Sequence, residues 1–169
     1  MPLSDTNIAL AVRSTLLKSF DLAAGTIPLQ FTRGFSLDSG TGANQADRVW
    51  HDTRTIAISG TDDLDLSGVL VDAFGDAATF VKVKGIFVSA AAANTNNVVV
   101  GNAAATQFLG PFGAAAHTAH VRPGGFLAFA CSDGTGWGVV NAASDLLRVA
   151  NSGAGTSVTY DIVIIGTSA

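Results

Sequence analysis

The stretch from Thr79 to Gly101, TFVKVKGIFVSAAAANTNNVVVG, decides the fold class. Its first part alternates polar and apolar residues, with Lys82 and Lys84 next to valines, which predicts a half-buried strand whose lysine stems face water. The polar run Asn94–Asn97 then breaks the alternation, and Asn favours loops because its side chain hydrogen-bonds its own backbone. Val98–Gly101 resumes the pattern. The stretch therefore predicts two strands joined by a loop, and it carries no catalytic motif.

The composition extends the β prediction to the whole chain. All 13 acidic residues are Asp, no Glu occurs, and lysine is scarce, so the strong helix formers are under-represented. The 19 Gly and 4 Pro suit short strands separated by tight turns. A chain of 169 residues is expected to form one domain with a core large enough to need no disulfides. We predict an all-β fold, a β-sandwich of the jelly-roll kind with two Greek keys.

The N-terminal segment fits two interpretations. Ile8, Leu10 and Val12 alternate as in a strand, whereas Ile8, Val12 and Leu16 also form a helical stripe. We prefer the first interpretation and assign residues 1–22 to an N-terminal strand or extended arm.

Residues 23–169 are predicted to form the single β-sandwich domain. Within it Leu29–Leu37 reads as a strand, with Leu29, Phe31 and Phe35 as candidates for its apolar face. Further strands are predicted over 64–70, over 146–150 and over 158–165, the last of them central to a sheet. Asp133–Gly136 is predicted to be a hairpin turn.

The charge content bears on the partners. Only 13% of the residues are charged and 48% are hydrophobic, a surface composition that favours burial against other subunits. The net charge of −4 gives no electrostatic reason to expect a nucleic acid or an anionic membrane as partner. No apolar run reaches the ~20 residues of a membrane span, and no secretory signal is visible. With a single cysteine, Cys131, internal disulfides are impossible, and we expect synthesis in the cytoplasm.

Candidate ligand sites are weak throughout the sequence. Gly40–Gly42 lacks the remaining glycines and lysine of the nucleotide-binding loops. The acidic group Asp62, Asp63 and Asp65 lacks the spacing of a calcium loop, and we interpret it as turn-capping. His117 and His120 would point to opposite faces of a strand, which is a poor arrangement for a shared metal.

Candidate catalytic and sugar-binding residues are equally sparse. The three histidines, with His51 as the third, have no neighbouring nucleophile in a known motif. Trp50, Trp137 and Tyr160 could stack on a sugar, but scattered aromatics are more typical of a core. Cys131 lies in an apolar strand and is interpreted as a small buried hydrophobe. We therefore predict no catalytic, cofactor-binding or metal-binding residues, and a protein that is not an enzyme.

Several segments resemble a family of small virion structural proteins encoded near the head genes of tailed bacteriophages and prophages. They cover most of the chain from Ser39 onward. The segments are SGTGANQADRVWHDTRTIA (Ser39–Ala57), DLDLSGVLVDAFG (Asp63–Gly75), AANTNNVVVG (Ala92–Gly101), GPFG (Gly110–Gly113), VRPGG (Val121–Gly125) and LLRVANSGAGTSVTYDIVIIGTSA (Leu146–Ala169).

The resemblance implies a role as a capsid decoration (cement) protein, several of which are jelly rolls that bind the outer capsid lattice. The implied partners are the major capsid protein and copies of the chain itself, as a trimer rather than a dimer, and the implied location is the outer head surface of the virion. Candidate contact surfaces are residues 1–22 and the loops Asp38–Asp47 and Asn94–Asn97. The alternatives are another virion component, at the tail or the base of a head fibre, and a carbohydrate-binding module.

Overall fold

The computed structural model describes residues 3–169, which form twelve strands and one short 3₁₀ turn, Gly110–Phe112. The strands are β1 (Thr6–Ser19), β2 (Ala24–Ser39), β3 (Gln45–Ala46), β4 (Arg48–Ile56), β5 (Thr61–Asp65), β6 (Lys82–Ala90), β7 (Val98–Gly101), β8 (Thr118–Val121), β9 (Phe126–Ala130), β10 (Trp137–Gly138), β11 (Leu146–Asn151) and β12 (Val158–Thr167).

The body of the molecule is a sandwich of two antiparallel sheets. One sheet has the order β4-β12-β6-β9, with the short β10 pairing with β6 beyond the end of β9, and the other has the order β5-β11-β7-β8. Each sheet thus interleaves strands from the first and second halves of the body, which is the strand order of two Greek keys in a jelly roll. The all-β prediction is confirmed.

The core lies between the two sheets, because the strands alternate inward apolar residues with outward ones. Ile162 and Ile164 of β12 and Ile86 and Val88 of β6 point inward and are almost completely buried. They pack with residues of the opposite sheet such as Leu147. β12 pairs on both sides, with β4 and with β6, so its predicted central position is confirmed.

The N-terminal segment is a strand, as preferred, but it is one half of a long hairpin. β1 and β2 pair antiparallel along the 14 residues of β1, from Thr6 opposite Leu37 to Ser19 opposite Ala24. The boundary at residue 22 falls in the turn of this hairpin, and the chain returns along β1 before it enters the body. We call β1, the turn and β2 as far as Leu37 the hairpin arm.

The strand over Leu29–Leu37 is present, but Leu29 and Phe31 do not face the body core and are exposed. A period of two identifies which side chains share a face; it does not identify what that face contacts.

Lys84 is the clearest local error of prediction, since its side chain is buried instead of facing water. Ile165 pairs with Gly85 and the next residue, Gly166, pairs with Val83, so Lys84 is the extra residue of a β-bulge. Its Nζ donates a hydrogen bond to the carbonyl oxygen of Gly42, in the Asp38–Asp47 loop. Burial lowers the pKa of this amine below its usual value.

One predicted strand and one predicted hairpin turn also need correction. The strand predicted over 64–70 is β5, which ends at Asp65, because the Asp65 carboxylate accepts a hydrogen bond from the Ser67 N–H and begins a turn. Asp133–Gly136 is a turn held by the Asp133 carboxylate, but it does not make a hairpin. The strands it joins, β9 and β10, pair with successive parts of β6.

Candidate functional site: the hairpin arm and the groove at its base

The hairpin arm has one apolar face. Directly opposed residues of an antiparallel pair project to the same side, so the register of β1 and β2 determines which side chains lie together. The apolar face comprises Ile8 opposite Phe35, Val12 opposite Phe31 and Leu16 opposite Ile27, together with Leu10 and Leu29. The other face is formed by small and polar pairs such as Ala9 with Gly34 and Arg13 with Gln30. The arm is therefore an amphipathic two-stranded ribbon.

The base of the arm is part of the body. Leu37 is buried with Ala46 and Ile165, and Ile8 and Phe35 pack against this second, smaller core. Its floor is the outer face of the β4-β12-β6 sheet, where Val49, Phe87 and Val163 lie. This contact anchors the arm.

Beyond Ile8 and Phe35 the apolar face continues into solvent. Leu10 is 47% exposed, Leu16 is 69% exposed and Ile27 is 68% exposed. At the rise of a β-strand the ten residues from Leu10 to Ser19 extend about 30 Å. A two-stranded ribbon alone is marginally stable in water, and monomers rarely display apolar patches of this extent. The arm therefore has the character of an interaction surface.

An apolar groove of about 440 Å³ opens where the arm leaves the body. Leu10 and Arg33 line it on the arm side, and Phe126 and Ala128 of β9 line it on the sheet side. Phe126 is 72% exposed, which is unusual for a phenylalanine in a strand. Asp161 of β12 adds a carboxylate to the lining. We call this space the arm groove.

The sequence did not indicate the arm groove. The apolar strand predicted over 126–131 is present as β9, which ends at Ala130, but the sequence does not show that its outward residues lie opposite the arm. The alternation of Ile8, Leu10 and Val12 predicts an extended segment over residues 1–22 but does not identify its partner strand, β2.

The histidines are not brought into one site. His51 lies on β4 of the first sheet, whereas His117 precedes β8 of the other sheet and His120 lies within it. The His117 Nδ1 lies 2.5 Å from the carbonyl oxygen of Phe112. Among the described residues, no group of three or more His, Cys, Asp or Glu side chains is positioned to hold a metal ion.

Two of the three clustered aspartates form ion pairs instead of capping turns. Asp62 accepts hydrogen bonds from the Arg54 guanidinium, at 3.0 Å from Nη2, and from the Tyr160 hydroxyl at 2.9 Å. Asp63 accepts two hydrogen bonds from Arg148, at 2.7 Å and 2.8 Å. These pairs connect β5 to β4, β12 and β11.

The pKa shifts of this cluster follow from the same contacts. The Asp62 hydrogen bond raises the pKa of Arg54, and burial raises the pKa of Tyr160 above its usual range. The Arg148 hydrogen bonds lower the pKa of Asp63. Near neutral pH Arg54 stays charged and the Tyr160 hydroxyl stays protonated, so both can donate to Asp62. These hydrogen bonds join β5 of one sheet to β4 and β12 of the other.

The loops predicted as contact surfaces are internally bonded. In the Asp38–Asp47 loop the Gly42 N–H donates to the Gln45 side chain at 2.8 Å. In the Asn94–Asn97 loop Asn94 makes two hydrogen bonds with the backbone of Thr159. Much of the polar capacity of both loops is therefore used within the chain.

Trp50 is 4% exposed and belongs to the main core, so it cannot stack on a sugar. Trp137 is half-buried and packs edge to face with Phe129. Cys131 is half-buried as well, and burial raises the pKa of its thiol to about 11. A thiol with this pKa is protonated at neutral pH and unreactive as a nucleophile.

Comparisons with protein-family models, with curated proteins and with solved structures found no match. Within residues 3–169 no helix is long and apolar enough to cross a membrane.

Proposed function

We propose that this protein is a structural component of a tailed-bacteriophage virion, and specifically a capsid decoration protein that binds the outer head lattice together with copies of itself. The observation that carries the proposal is the hairpin arm, whose apolar face is buried at its base and continues about 30 Å into solvent. The resemblance of the segments from Ser39 onward to small virion proteins supplies the biological setting.

The requirements of decoration agree with these properties. A protein repeated over a shell gains its total affinity from many individually weak contacts, so it needs neither a deep pocket nor strong charge. It does need a body that keeps its shape while its contact surfaces engage neighbours. The jelly-roll sandwich, closed by the Arg54–Asp62–Tyr160 cluster, supplies the rigid body, and the arm supplies the contact surface.

Imaging intact particles of the phage that encodes this chain tests the proposal. We expect many copies arrayed over the outer face of the head, in contact with the major capsid protein. A few copies confined to the tail or to one vertex would support the alternative role in a tail or head-fibre base and would refute decoration. Purified protein added to particles that lack it should restore the same array.

A further inference from the structure

We propose that the tip of the hairpin arm docks into the arm groove of a second copy of this chain, and that successive copies close into a ring. This inference rests on the self-association part of the proposed function and not on the virion role. The two can therefore fail separately.

The tip has the shape and chemistry of an apolar knob. The N–H of Phe20 donates a 2.7 Å hydrogen bond to the carbonyl oxygen of Ala23, which closes the turn between β1 and β2. Leu22 projects from this turn and is 100% exposed, and the Phe20 ring lies beside Gly25 and is 57% exposed. Leu17 and Leu16, on opposite faces of the ribbon, extend the apolar surface just below the turn. Exposed apolar side chains thus lie at the turn and on both faces of one narrow end.

A tip that docks into the arm groove must come from another copy. The groove lies beside Leu10, and the tip begins at Phe20, about 30 Å further along an extended ribbon. Because β1 and β2 are paired in continuous register along this length, the arm cannot fold back to place its own tip in its own groove. A second copy presents the same tip without that constraint.

The charges of the two surfaces are complementary. On the tip, Lys18 lies over the Phe20 ring at 5.3 Å from its centroid, and Asp21 occupies the turn. The groove carries the opposite pair, Asp161 on the sheet and Arg33 on the arm. Docking therefore can pair Lys18 with Asp161 and Asp21 with Arg33, which favours association and selects one orientation.

The overall charge distribution points the same way. The arm from Thr6 to Leu37 contains three cations, Arg13, Lys18 and Arg33, and one carboxylate, Asp21, so it carries a net charge of +2. The rest of the chain carries a net charge of −6, and the two sum to the total of −4. An arm is thus attracted to the body of a neighbour more than to another arm.

A knob and a groove at different places on one molecule make a heterologous contact, which generates a closed ring or an open filament. In a closed ring every tip and every groove is occupied, whereas a filament leaves one tip and one groove uncovered at its ends, so we infer the closed ring. The ring size then equals the number of copies in the oligomer.

Sedimentation velocity over a micromolar concentration range tests the docking in the absence of any virus particle. The tip variant is Phe20→Ser with Leu22→Ser, and the groove variant is Phe126→Ser. All three side chains are exposed, so these variants should keep the fold. We expect a discrete oligomer for the unmodified chain and at least a hundredfold weaker association for each variant. Phe74→Ser is the matched control, since Phe74 is 77% exposed but lies outside both surfaces.

Mixing the two variants gives a signature that other interfaces would not. The tip variant keeps an intact groove and the groove variant keeps an intact tip, so one complete contact can form between them. We expect each variant alone to be monomeric and the mixture to form a dimer that does not grow further. A face-to-face pairing of two arms would instead leave the groove variant associated by itself, because Phe126 lies outside the arm, and mixing would add nothing; that result would overturn the proposal.

Charge reversal provides a second readout. Lys18→Asp and Asp161→Lys should each weaken association by about three- to tenfold, and the double reversal should recover most of the loss. A monomeric unmodified chain, an oligomer that both variants leave intact, or an open filament would each contradict the proposal. If the ring is confirmed but does not bind particles, the virion role fails and the docking stands.

Discussion

The sandwich and the hairpin arm are built from the same kind of strand, with apolar and polar residues in alternation, yet their apolar faces meet different surroundings. In the sandwich Ile164 and Leu147 face the opposite sheet and are buried. In the arm Leu16 and Ile27 occupy the same kind of position, on the apolar face of the paired strands, but this face is exposed to solvent. The difference indicates that the sandwich is stable by itself, whereas the distal arm requires a second molecule to cover it.

The largest effect is expected when one apolar side chain is removed from each region and the two losses of stability are compared. Ile164→Ala should lower the free energy of unfolding by about 2–5 kcal/mol, because it leaves a cavity between the sheets. Leu16→Ala should change the stability of the dissociated chain by less than about 0.5 kcal/mol. Chemical denaturation of dilute protein measures both. Similar losses for the two variants would mean that the arm is packed within a single chain.

A smaller effect is expected from the polar contacts that join the sheets. Asp62→Ala removes the acceptor of both Arg54 and the buried Tyr160 hydroxyl, and we expect a loss of about 1–3 kcal/mol. Asp52→Ala is the matched control, since Asp52 pairs with the same arginine at a more exposed position and should cost less than about 0.5 kcal/mol. Equal effects of the two substitutions would show that burial of the cluster contributes nothing.

The smallest effect concerns acid stability of the body. Arg148 lowers the pKa of Asp63 in the folded chain, so the unfolded chain binds the proton first as pH falls. The stabilisation is complete above the unfolded pKa of about 4 and is lost as pH falls through the lower folded value. Asp63→Asn should reduce the slope of stability against pH between 5 and 3, by up to about 1 kcal/mol over that range. An unchanged slope would contradict the assigned pair.

The sequence predicted the strands of the body well, because local alternation and turn residues determine them. β6, β7, β11 and β12 were all anticipated within a few residues, and the central position of β12 followed from its β-branched run. The burial of Lys84 could not be anticipated, since it depends on the bulge in the register between β6 and β12 and on the contact with Gly42, more than 40 residues away in the chain.

The candidate site was predicted only in part. The alternation of Ile8, Leu10 and Val12 indicated an extended N-terminal segment, but nothing local showed that Leu29–Leu37 pairs with it away from the core. Similarly, the pairing of Asp62 with Tyr160 joins positions 98 residues apart in the chain. Contacts of this kind depend on topology, which periodicity alone does not specify.

Hydrogen exchange of the backbone amides, measured at high and low protein concentration, tests the central claim most directly. The account predicts that amides of β1 and β2 beyond Ile8 and Phe35 are protected at high concentration and lose protection on dilution. Those of β12 should stay protected at both concentrations, because the sandwich needs no partner. Arm amides protected as strongly as β12 at every concentration would contradict the account.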